Sequence, residues 1–307
     1  MRPLAVAGNV NVDLILGPVT PWPQPGTEVM VAHDDLRVGG SAGNTALVWA
    51  ALGLPFQFAA SVGRDPFGAW LGAAFPDHAP RWPVSPRRTT LSVGLTHPNG
   101  ERTFLTTQGH LQDMTAPAVL ATLDPTTLRG GLLLLSGAFV TAALAAGYDQ
   151  IFDWADIHAI DVALDSGWPT EGWTETARAQ TLHWLSRSKI ALLNEVEALG
   201  LTGKAGVKDA ALALRQSMPL GGMVIVKCGA EGALALDPDG ALHRAPAQPV
   251  QVIDTIGAGD IFNAGFLAAL GRARSLTTCL RHGVALASHA ISTHPRQYLP
   301  PGSDPIA

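Results

Sequence analysis

Residues 254–260 of the chain read DTIGAGD, immediately before the apolar run IFNAGFLAALG. Backbone N–H groups at a helix start lack intrahelical partners and carry partial positive charge, so a Gly-Ala-Gly turn that leads into a helix can bind an anion. We therefore predict an anion site at Gly257, Ala258 and Gly259. Asp260 lies in the first turn, where the helix dipole favours its ionised form, and it could take a proton from a hydroxyl beside a bound phosphate. The alternative is an ordinary strand-to-helix turn with an acidic residue at the helix start.

A second glycine pair lies in the stretch VGGSAGNTA at residues 38–46, again just before a helical pattern. Polar side chains follow these glycines, and others follow the first strand-like run of the chain. Together they form a set of groups that suits a polyhydroxylated ligand: Asn11, Asp13, Gly39, Gly40, Ser41 and Asn44. Tight turns and helix caps would explain each of these residues taken separately.

Acidic and amide side chains follow a buried strand in LLNEVEAL, at Asn194, Glu195 and Glu197. Such groups at a strand end can hold Mg2+ through water, which is how magnesium is usually bound beside phosphates. A capped helix start with acidic residues in its first turn would need the same residue types. Both interpretations stay open from these residues alone.

The stretch VKCGAEGAL carries a strand that ends in Lys227 and is followed by Gly229 and Gly232. Glycines at a strand end allow a nucleotide to pass close over the backbone, because no Cβ stands in the way. A simple β-turn explains the same glycines without any ligand.

Apolar strands and helices alternate along most of the chain and would position these motifs. Strand-like runs such as GGLLLLSGAF, KIALLN and MVIVKCG alternate with helical patterns such as ARAQTLHWLSRS and VKDAALALRQSM. Continuous apolar strands between helices imply a mostly parallel sheet that is covered on both faces. We predict an α/β fold with three layers, α/β/α and Rossmann-like, in a single domain over residues 1–307.

Two β-rich segments, residues 16–38 and 88–112, do not fit inside that sheet. The first contains the proline-rich PVTPWPQPG, and the second carries PNG at residues 98–100 between two alternating runs, which is a strong hairpin signal. We predict that the two segments pair with each other as a small β-sheet lid. The C-terminal PPGSDPIA is expected to fray.

Composition narrows the classes of partner. A hydrophobic share of 47% with 15% charged residues places the chain among compact globular proteins. The net charge of −5, without a run of Lys and Arg, disfavours nucleic acid and anionic membranes as partners. The N-terminal apolar stretch is interrupted by polar residues and is no signal-peptide core, and no window approaches the roughly 20 apolar residues of a membrane span. A cytoplasmic location is therefore expected.

Taken in order, GGSAGN, NEVE, VKCGAEG and DTIGAGDIFNAGF resemble the ribokinase-like, or PfkB, family of carbohydrate kinases over nearly the whole chain. The resemblance implies transfer of the γ-phosphate of ATP to a hydroxyl of a sugar or related alcohol, with Mg2+ as cofactor. It implies that Asp260 is the catalytic base beside an anion hole at 257–259 and that Glu197 organises Mg2+ through water. The positions implied to line the nucleotide are Asn194, Lys227, Gly229 and Gly232, and those implied to grip substrate hydroxyls are Asn11, Asp13, Gly39, Gly40 and Asn44.

Several positions depart from the family pattern. Ribokinases proper have a lysine where this chain has Ser41, and they place a glutamate where Ser136 and Gly137 stand, so ribose itself is doubtful as substrate. The segment STHPRQYLP differs from the family's usual glycine-containing loop that helps bind a monovalent cation, so K+ activation is not carried over. Arg102 could reach a substrate phosphate or carboxylate, but a solvated lid residue is the expected role.

Two other functions stay open. Adenosine-type members of the family share the GGS and Asn pattern, and Trp22 and Phe104 could stack on a base, so a nucleoside kinase is one alternative. A sensor that binds sugar or nucleotide without turnover is the other, although a pure binder has no need of a base. Because lid strands with an open apolar face often pair between subunits, a homodimer through the lid is expected.

Overall fold

The computed structural model describes residues 1–98 and 102–299. The strands in these ranges are β1 (Leu4–Gly8), β2 (Asn11–Gly17), β3 (His33–Gly39), β4 (Phe56–Ala59), β5 (Val62–Gly63), β6 (Val84–Ser85), β7 (Leu91–Thr96), β8 (Arg102–Thr106), β9 (Leu132–Ser136), β10 (Asp161–Asp165), β11 (Ile190–Asn194), β12 (Met223–Lys227), β13 (Ala233–Leu236) and β14 (Leu242–Ala245). The α-helices are α1 (Ser41–Ala51), α2 (Pro66–Ala74), α3 (Ala116–Leu120), α4 (Pro125–Leu128), α5 (Ala142–Ala145), α6 (Tyr148–Ile157), α7 (Glu175–Ser186), α8 (Glu195–Thr202), α9 (Val207–Ser217), α10 (Ala258–Gly271) and α11 (Leu276–Ile291).

The large sheet has eight strands in the order β14-β13-β12-β11-β10-β9-β1-β4. Strands β4, β1, β9, β10, β11 and β12 are parallel, and β13 and β14 form an antiparallel edge. The prediction of a mostly parallel sheet is confirmed. Parallel strands all end at the same edge, so the polar residues that follow β1, β10, β11 and β12 meet there.

Helices cover both faces of this sheet, because its central strands are apolar on both sides. Leu132 of β9 packs in one core cluster with Phe266 of α10. Its neighbour Leu133 packs in a second cluster with Phe152 of α6. Successive side chains of a strand point to opposite faces, so the two clusters are the two interfaces of the predicted three-layer α/β/α arrangement. Helix α6 was not predicted, although its buried residues recur at helical spacing.

A separate four-stranded sheet has the order β3-β2-β7-β8. Its strand β2 begins at Asn11, so the small sheet starts earlier than the lid segment that was predicted from residue 16, and β2 is parallel to β7. Strands β7 and β8 are antiparallel, as the hairpin signal implies. Residues 99–101, which include part of the predicted PNG turn, and residues 300–307, where fraying was predicted, lie outside the described residues.

The register of the small sheet gives its two faces different chemistry. One row across the four strands is Arg37, Asp13, Ser92 and Thr106, and the next row, on the opposite face, is Leu36, Leu14, Val93 and Leu105. Asp13, Ser92 and Thr106 of the polar row line the cavity described below, whereas no residue of the apolar row does. Among the residues that the structure describes, no helix is both long and apolar enough to cross a membrane.

Candidate active site

A cavity of about 190 Å³ lies where the small sheet meets the carboxyl edge of the large one. The starts of α1 and α10 and the 3-10 turns that follow β8 and β9 complete its walls. The residues that line it are Asn9, Asn11, Asp13, Gly40, Ser41, Asn44, Ser92, Phe104, Thr106, Leu111, Val140, Ile256, Gly257 and Asp260. The structure thus brings together two motifs that lie more than two hundred residues apart in the chain.

The turn GAG forms the start of α10, as predicted. Gly257 is the N-cap residue and has a left-handed backbone, φ 76°. A Cβ at this position would also lie 2.7 Å from Nδ2 of Asn44, so both the conformation and the space require glycine. Of the three N–H groups predicted to bind an anion, that of Ala258 already donates to the carbonyl of Thr255 at 3.2 Å. An arriving phosphoryl group would have to share or displace that bond.

Asp260 is held from the side of α1. Nδ2 of Asn44 donates a 2.8 Å hydrogen bond to its carboxylate, and Oγ1 of Thr45 donates to its backbone carbonyl at 3.2 Å. The expectation that the helix dipole keeps Asp260 readily ionised is wrong. Burial raises the pKa of Asp260 to about 7, and the nearby Asp165 carboxylate adds to this, while the bond from Asn44 opposes it. At neutral pH this carboxyl group is poised between its acid and base forms.

Lys227 lies on the other side of the anion turn. Its Nζ is 2.7 Å from a carboxylate oxygen of Asp165 and 3.2 Å from the amide oxygen of Asn263. Burial alone would lower the pKa of Lys227, but Asp165 and Glu197 outweigh it and hold the pKa above its usual value. A Cβ built on Gly259 would lie 3.4 Å from this Nζ. The ammonium therefore borders the turn directly, within reach of an anion bound there.

Asn194 and Glu197 form a capping box at the start of α8. The backbone N–H of each donates to the side chain of the other at 2.8 Å. Glu197 is buried, and burial raises its pKa, with the Asp165 carboxylate adding to the effect. Within residues 1–98 and 102–299, no group of three or more Asp, Glu, His or Cys side chains could hold a metal ion alone. The charge of Asp165 acts on Glu197, so the two carboxylates belong to one acidic region at this edge of the sheet. Glu195, by contrast, is not part of the capping box.

The floor of the cavity is a chain of amide and carboxylate groups. Asn9 donates to Asn11 at 3.2 Å, and Asn11 donates to Asp13 at 2.7 Å. Burial raises the pKa of Asp13 to about 6, although Arg37 opposes this. Gly40 has φ 86°, and a Cβ on it would lie 2.5 Å from the carbonyl oxygen of Asn9. The glycine lets the start of α1 approach this polar chain closely.

The remaining predicted substrate residues take two kinds of position. Ser41 and Asn44 line the cavity, and the backbone N–H of Ser41 donates to the side chain of Asn9 at 3.2 Å. Gly39 is not among the lining residues. A Cβ at Gly39 would overlap with the Asp13 carboxylate. Its role in the structure is to make room for that carboxylate.

The two glycines that were predicted to line the nucleotide differ in their surroundings. Gly229 faces open space, whereas a Cβ on Gly232 would overlap with the segment after β14.

Of the aromatic and basic residues that were considered as possible ligand contacts, one lines the cavity and two do not. Phe104 lines the cavity. Trp22 stacks on His97 with ring centroids 5.8 Å apart and does not line it. Arg102 is half-buried and does not line the cavity.

Sequence reasoning missed three polar residues of the site. Asn9 directly follows β1, and Asp165 is the last residue of β10, so a polar side chain at the end of a buried parallel strand was the available signal. Asn263 lies three residues after Asp260 on α10, donates to the Asp165 carboxylate and is fully buried. An amide inside an apolar helix was the signal there.

Comparisons with known proteins agree with this geometry. The family model described as pfkB family carbohydrate kinase matches residues 1–301. A ribokinase of Arabidopsis thaliana is 26% identical over 301 residues, which cover 93% of this chain and 75% of that protein. A cytidine kinase of Thermococcus kodakarensis is 37% identical over 110 residues, which cover 35% of this chain and 38% of that protein. The structure of Arabidopsis thaliana ribokinase complexed with ribose and ATP has a TM-score of 0.76 at 22% identity and covers 95% of this chain and 93% of its own. The chain belongs to the pfkB family of carbohydrate kinases.

Proposed function

We propose that this kinase transfers the γ-phosphate of ATP to a hydroxyl of a neutral monosaccharide or sugar derivative, with Asp260 as the base. The observation that carries the proposal is the position of Asp260. Its carboxylate lies at the wall of the polar cavity, in the first turn of α10, directly after the glycine turn. A hydroxyl in the cavity and a phosphoryl group at the turn would thus meet at this carboxylate.

The reaction needs positioning and charge neutralisation more than covalent chemistry. The N–H groups of Gly257, Ala258 and Gly259 would donate to the transferring phosphoryl group, and Lys227 would add a fixed positive charge at the edge of the turn. Asp260 accepts the hydroxyl proton as the oxygen attacks. A pKa of about 7 suits this role, because about half of the carboxyl groups are then ionised at neutral pH and the carboxylate is basic enough to take the proton.

Mg2+ fits the acidic pair at the carboxyl ends of β10 and β11. Glu197 and Asp165 would hold it, Glu197 through water, and the bound ion would supply charge neutralisation for the ATP phosphates. The ammonium of Lys227 pairs with Asp165 and would add to this neutralisation. Asn194, Lys227 and Gly229 mark the side of the sheet on which the nucleotide would lie, with Gly229 in open space and Asn194 at the helix start.

The lining of the cavity favours a neutral substrate. Among its described residues none is Lys or Arg, and Asp13 and Asp260 both contribute carboxylates. A carboxylate or phosphate on the acceptor would therefore meet negative charge without a direct partner. Carboxylates instead accept hydrogen bonds from sugar hydroxyls, and amides such as those of Asn11 and Asn44 can both accept and donate.

A nucleoside is the second candidate acceptor. Phe104 lines the cavity and offers an aromatic face to a base, and part of the chain is 37% identical to a cytidine kinase. A binder without turnover is disfavoured, since it would need neither a carboxylate with a raised pKa nor a neighbouring anion turn.

A panel of acceptors distinguishes these candidates. Consumption of ATP would be measured with Mg2+ over neutral sugars, sugar acids, sugar phosphates and nucleosides at equal concentration. A neutral sugar with the highest kcat/KM supports the proposal, and a nucleoside with the highest value supports the second candidate. Tight binding of one compound with no turnover of any would overturn the assignment of a kinase reaction.

We further propose a cytoplasmic location, where ATP is available, and a homodimer formed through the small sheet. The row of Leu36, Leu14, Val93 and Leu105 gives its outer face an apolar stripe, and Leu36 and Leu105 are 46% and 58% exposed. A monomer in analytical ultracentrifugation would contradict the dimer.

A further inference from the structure

Asp254, the first residue of DTIGAGD, connects the anion turn to two arginines from distant parts of the chain. One of its carboxylate oxygens accepts from the backbone N–H of Ile256 at 2.8 Å. The other accepts from Arg37 of β3 and from Arg296 in the segment after α11, each at 2.6 Å. One side chain therefore fixes the loop that leads into α10, a strand of the small sheet and the C-terminal segment.

Burial makes these ion pairs stronger than surface pairs. The side chains of Arg37 and Arg296 are 18% and 11% exposed. Burial alone would raise the pKa of Asp254, but the two guanidinium groups and the N–H of Ile256 hold it below its usual value. Salt screens such partly buried charges much less than exposed ones.

The positive charge exceeds what Asp254 neutralises. Arg37 has a second partner, Asp35, at 3.2 Å, but that carboxylate is 41% exposed and so well solvated. The guanidinium of Arg296 borders the anion turn directly, since a Cβ built on Gly257 would lie 3.5 Å from its Nη1. A fixed cation thus lies on this side of the turn, and the ammonium of Lys227 lies on the other.

The loop before α10 has few other supports. The backbone N–H groups of Ile253 and Asp254 both donate to the carbonyl of Ile291, the last residue of α11, at 2.8 and 3.1 Å. Within the loop the N–H of Ala258 donates to the carbonyl of Thr255 at 3.2 Å, and the Asp254 carboxylate with the arginines that it binds connects the loop to distant parts of the chain. Loss of a guanidinium would leave a buried carboxylate without its partner and free the loop to move.

We propose that Arg296 and Arg37, bound to Asp254, are positioning residues that act as the built-in cation of the anion turn, so that phosphoryl transfer requires no added monovalent cation. This inference rests on the proposed function, since it concerns the transfer step. The two can be tested separately. Turnover in any salt establishes the proposed function, whereas the dependence of the rate on the salt and on Arg296 tests the role of the arginines.

The first experiment uses the unaltered protein. Initial rates would be measured with Mg2+ and a fixed acceptor in potassium, sodium and tetramethylammonium chloride at one ionic strength. The rates should agree within about two-fold, because a guanidinium held in the fold already supplies the charge. Activation by potassium well beyond that range would overturn the proposal.

The second experiment replaces the guanidinium. Arg296→Met should lower kcat about 10-fold or more and leave the KM of the acceptor nearly unchanged, because the turn loses its orientation while the cavity floor stays intact. Arg296→Lys should keep more of kcat than Arg296→Met. Potassium or dilute guanidinium chloride should restore part of the activity of Arg296→Met but not change that of the unaltered protein.

Arg187→Met is the matched control. Arg187, at the end of α7, also binds several carboxylates, those of Asp149, Asp153 and Asp156 on α6, and none of these residues lines the cavity. It should leave kcat and its salt dependence unchanged. If Arg296→Met behaves like this control once the folded fraction is measured by circular dichroism, the arginine is structural only and the proposal fails.

Discussion

Asn44 and Asp260 join the two halves of the active site through one 2.8 Å hydrogen bond. Asn44 belongs to α1, which follows the small sheet, and Asp260 belongs to α10, which begins at the anion turn. The same two helices are tied again by Trp49, whose indole N–H donates to the carbonyl of Ala264 at 3.0 Å. Helix α1 therefore both orients the base, through Asn44, and packs against α10, through Trp49.

Asn44→Ala should shift the pH dependence of kcat/KM. The ionised form of Asp260 is the active one, so activity should rise with pH through the pKa of about 7. The bond from Asn44 lowers this pKa, and a hydrogen bond to a charged group contributes about 1.5 kcal/mol or more, so its loss should raise the acidic limb by about one pH unit. The measurement is the pH profile of kcat/KM.

Thr45→Val is the control for that shift. Thr45 donates to the backbone carbonyl of Asp260, not to its carboxylate. It should therefore leave the acidic limb where it is, even if it lowers stability. Equal shifts in both variants would mean that the limb reports a general distortion of α1.

Asp260→Asn should lower activity and raise the stability of the protein at alkaline pH. Removal of the base should lower kcat by a factor of about 10² or more while ligand binding is nearly retained. The pKa of Asp260 is 3.8 as a free group and about 7 in the fold, so from about pH 4 to 7 the folded state keeps a proton that the unfolded state releases. Stability must then fall as pH rises through this window.

Asparagine does not titrate, so the variant does not lose stability as the pH rises through this window. At pH 8 the variant should be more stable than the unaltered protein by about 1 kcal/mol or more, and at pH 4 the two should be nearly equal. Urea unfolding at both pH values measures the difference. Full activity in Asp260→Asn would refute the base assignment, and an equal stability difference at both pH values would refute the raised pKa.

The sequence predicted the elements well where a local pattern decides the structure. The apolar strands β9, β11 and β12 and the glycine N-cap of α10 follow from residues that are adjacent in the chain. The lid was predicted to begin too late, at residue 16, because the polar start of β2 at Asn11 looks like a turn until its pairing with β3 is known. Pairing with a distant strand is a tertiary effect that no local pattern contains.

The site was predictable in its motifs but not in its charge network. The spacing of Gly257 and Asp260 is compatible with an anion turn but equally with an ordinary strand-to-helix turn, and the other motifs of the chain favour the first. The pKa of Asp260 depends on Asp165, and the orientation of the turn depends on Arg37 and Arg296. These partners come from other parts of the chain, and burial, which sets the strength of each pair, is known only once the fold is built.

Lys227→Met should destabilise the protein through the charge that it leaves behind. Lys227 pairs with Asp165 at 2.7 Å, and removal of one partner from a buried pair typically costs about 3 kcal/mol or more. The double variant Lys227→Met with Asp165→Asn should recover much of this loss, since neither charge then remains. Urea unfolding of both single variants and the double variant measures the coupling.

Activity should not follow stability in that series. The double variant lacks both the ammonium beside Gly259 and the Asp165 carboxylate proposed to hold Mg2+, so its kcat should stay at least as low as that of Lys227→Met. Recovery of both stability and kcat in the double variant would show that Lys227 serves only to neutralise Asp165 and that Mg2+ does not need the Asp165 carboxylate.

Gly257→Ala tests the anion turn against a matched glycine. Gly257 and Gly240 have similar left-handed backbones, with φ of 76° and 84°. Gly240 lies in the exposed turn between β13 and β14, with nothing within 4 Å of a Cβ, whereas a Cβ on Gly257 meets Nδ2 of Asn44 at 2.7 Å. Each alanine should cost about 1 kcal/mol of stability for its backbone. Only Gly257→Ala should also lower kcat, by a factor of about 10² or more, because it displaces the anion-hole donors and the amide that orients Asp260. Steady-state kinetics and urea unfolding of the two variants measure both effects, and equal losses of kcat at the two positions would show that the turn at 257–259 has no special part in the reaction.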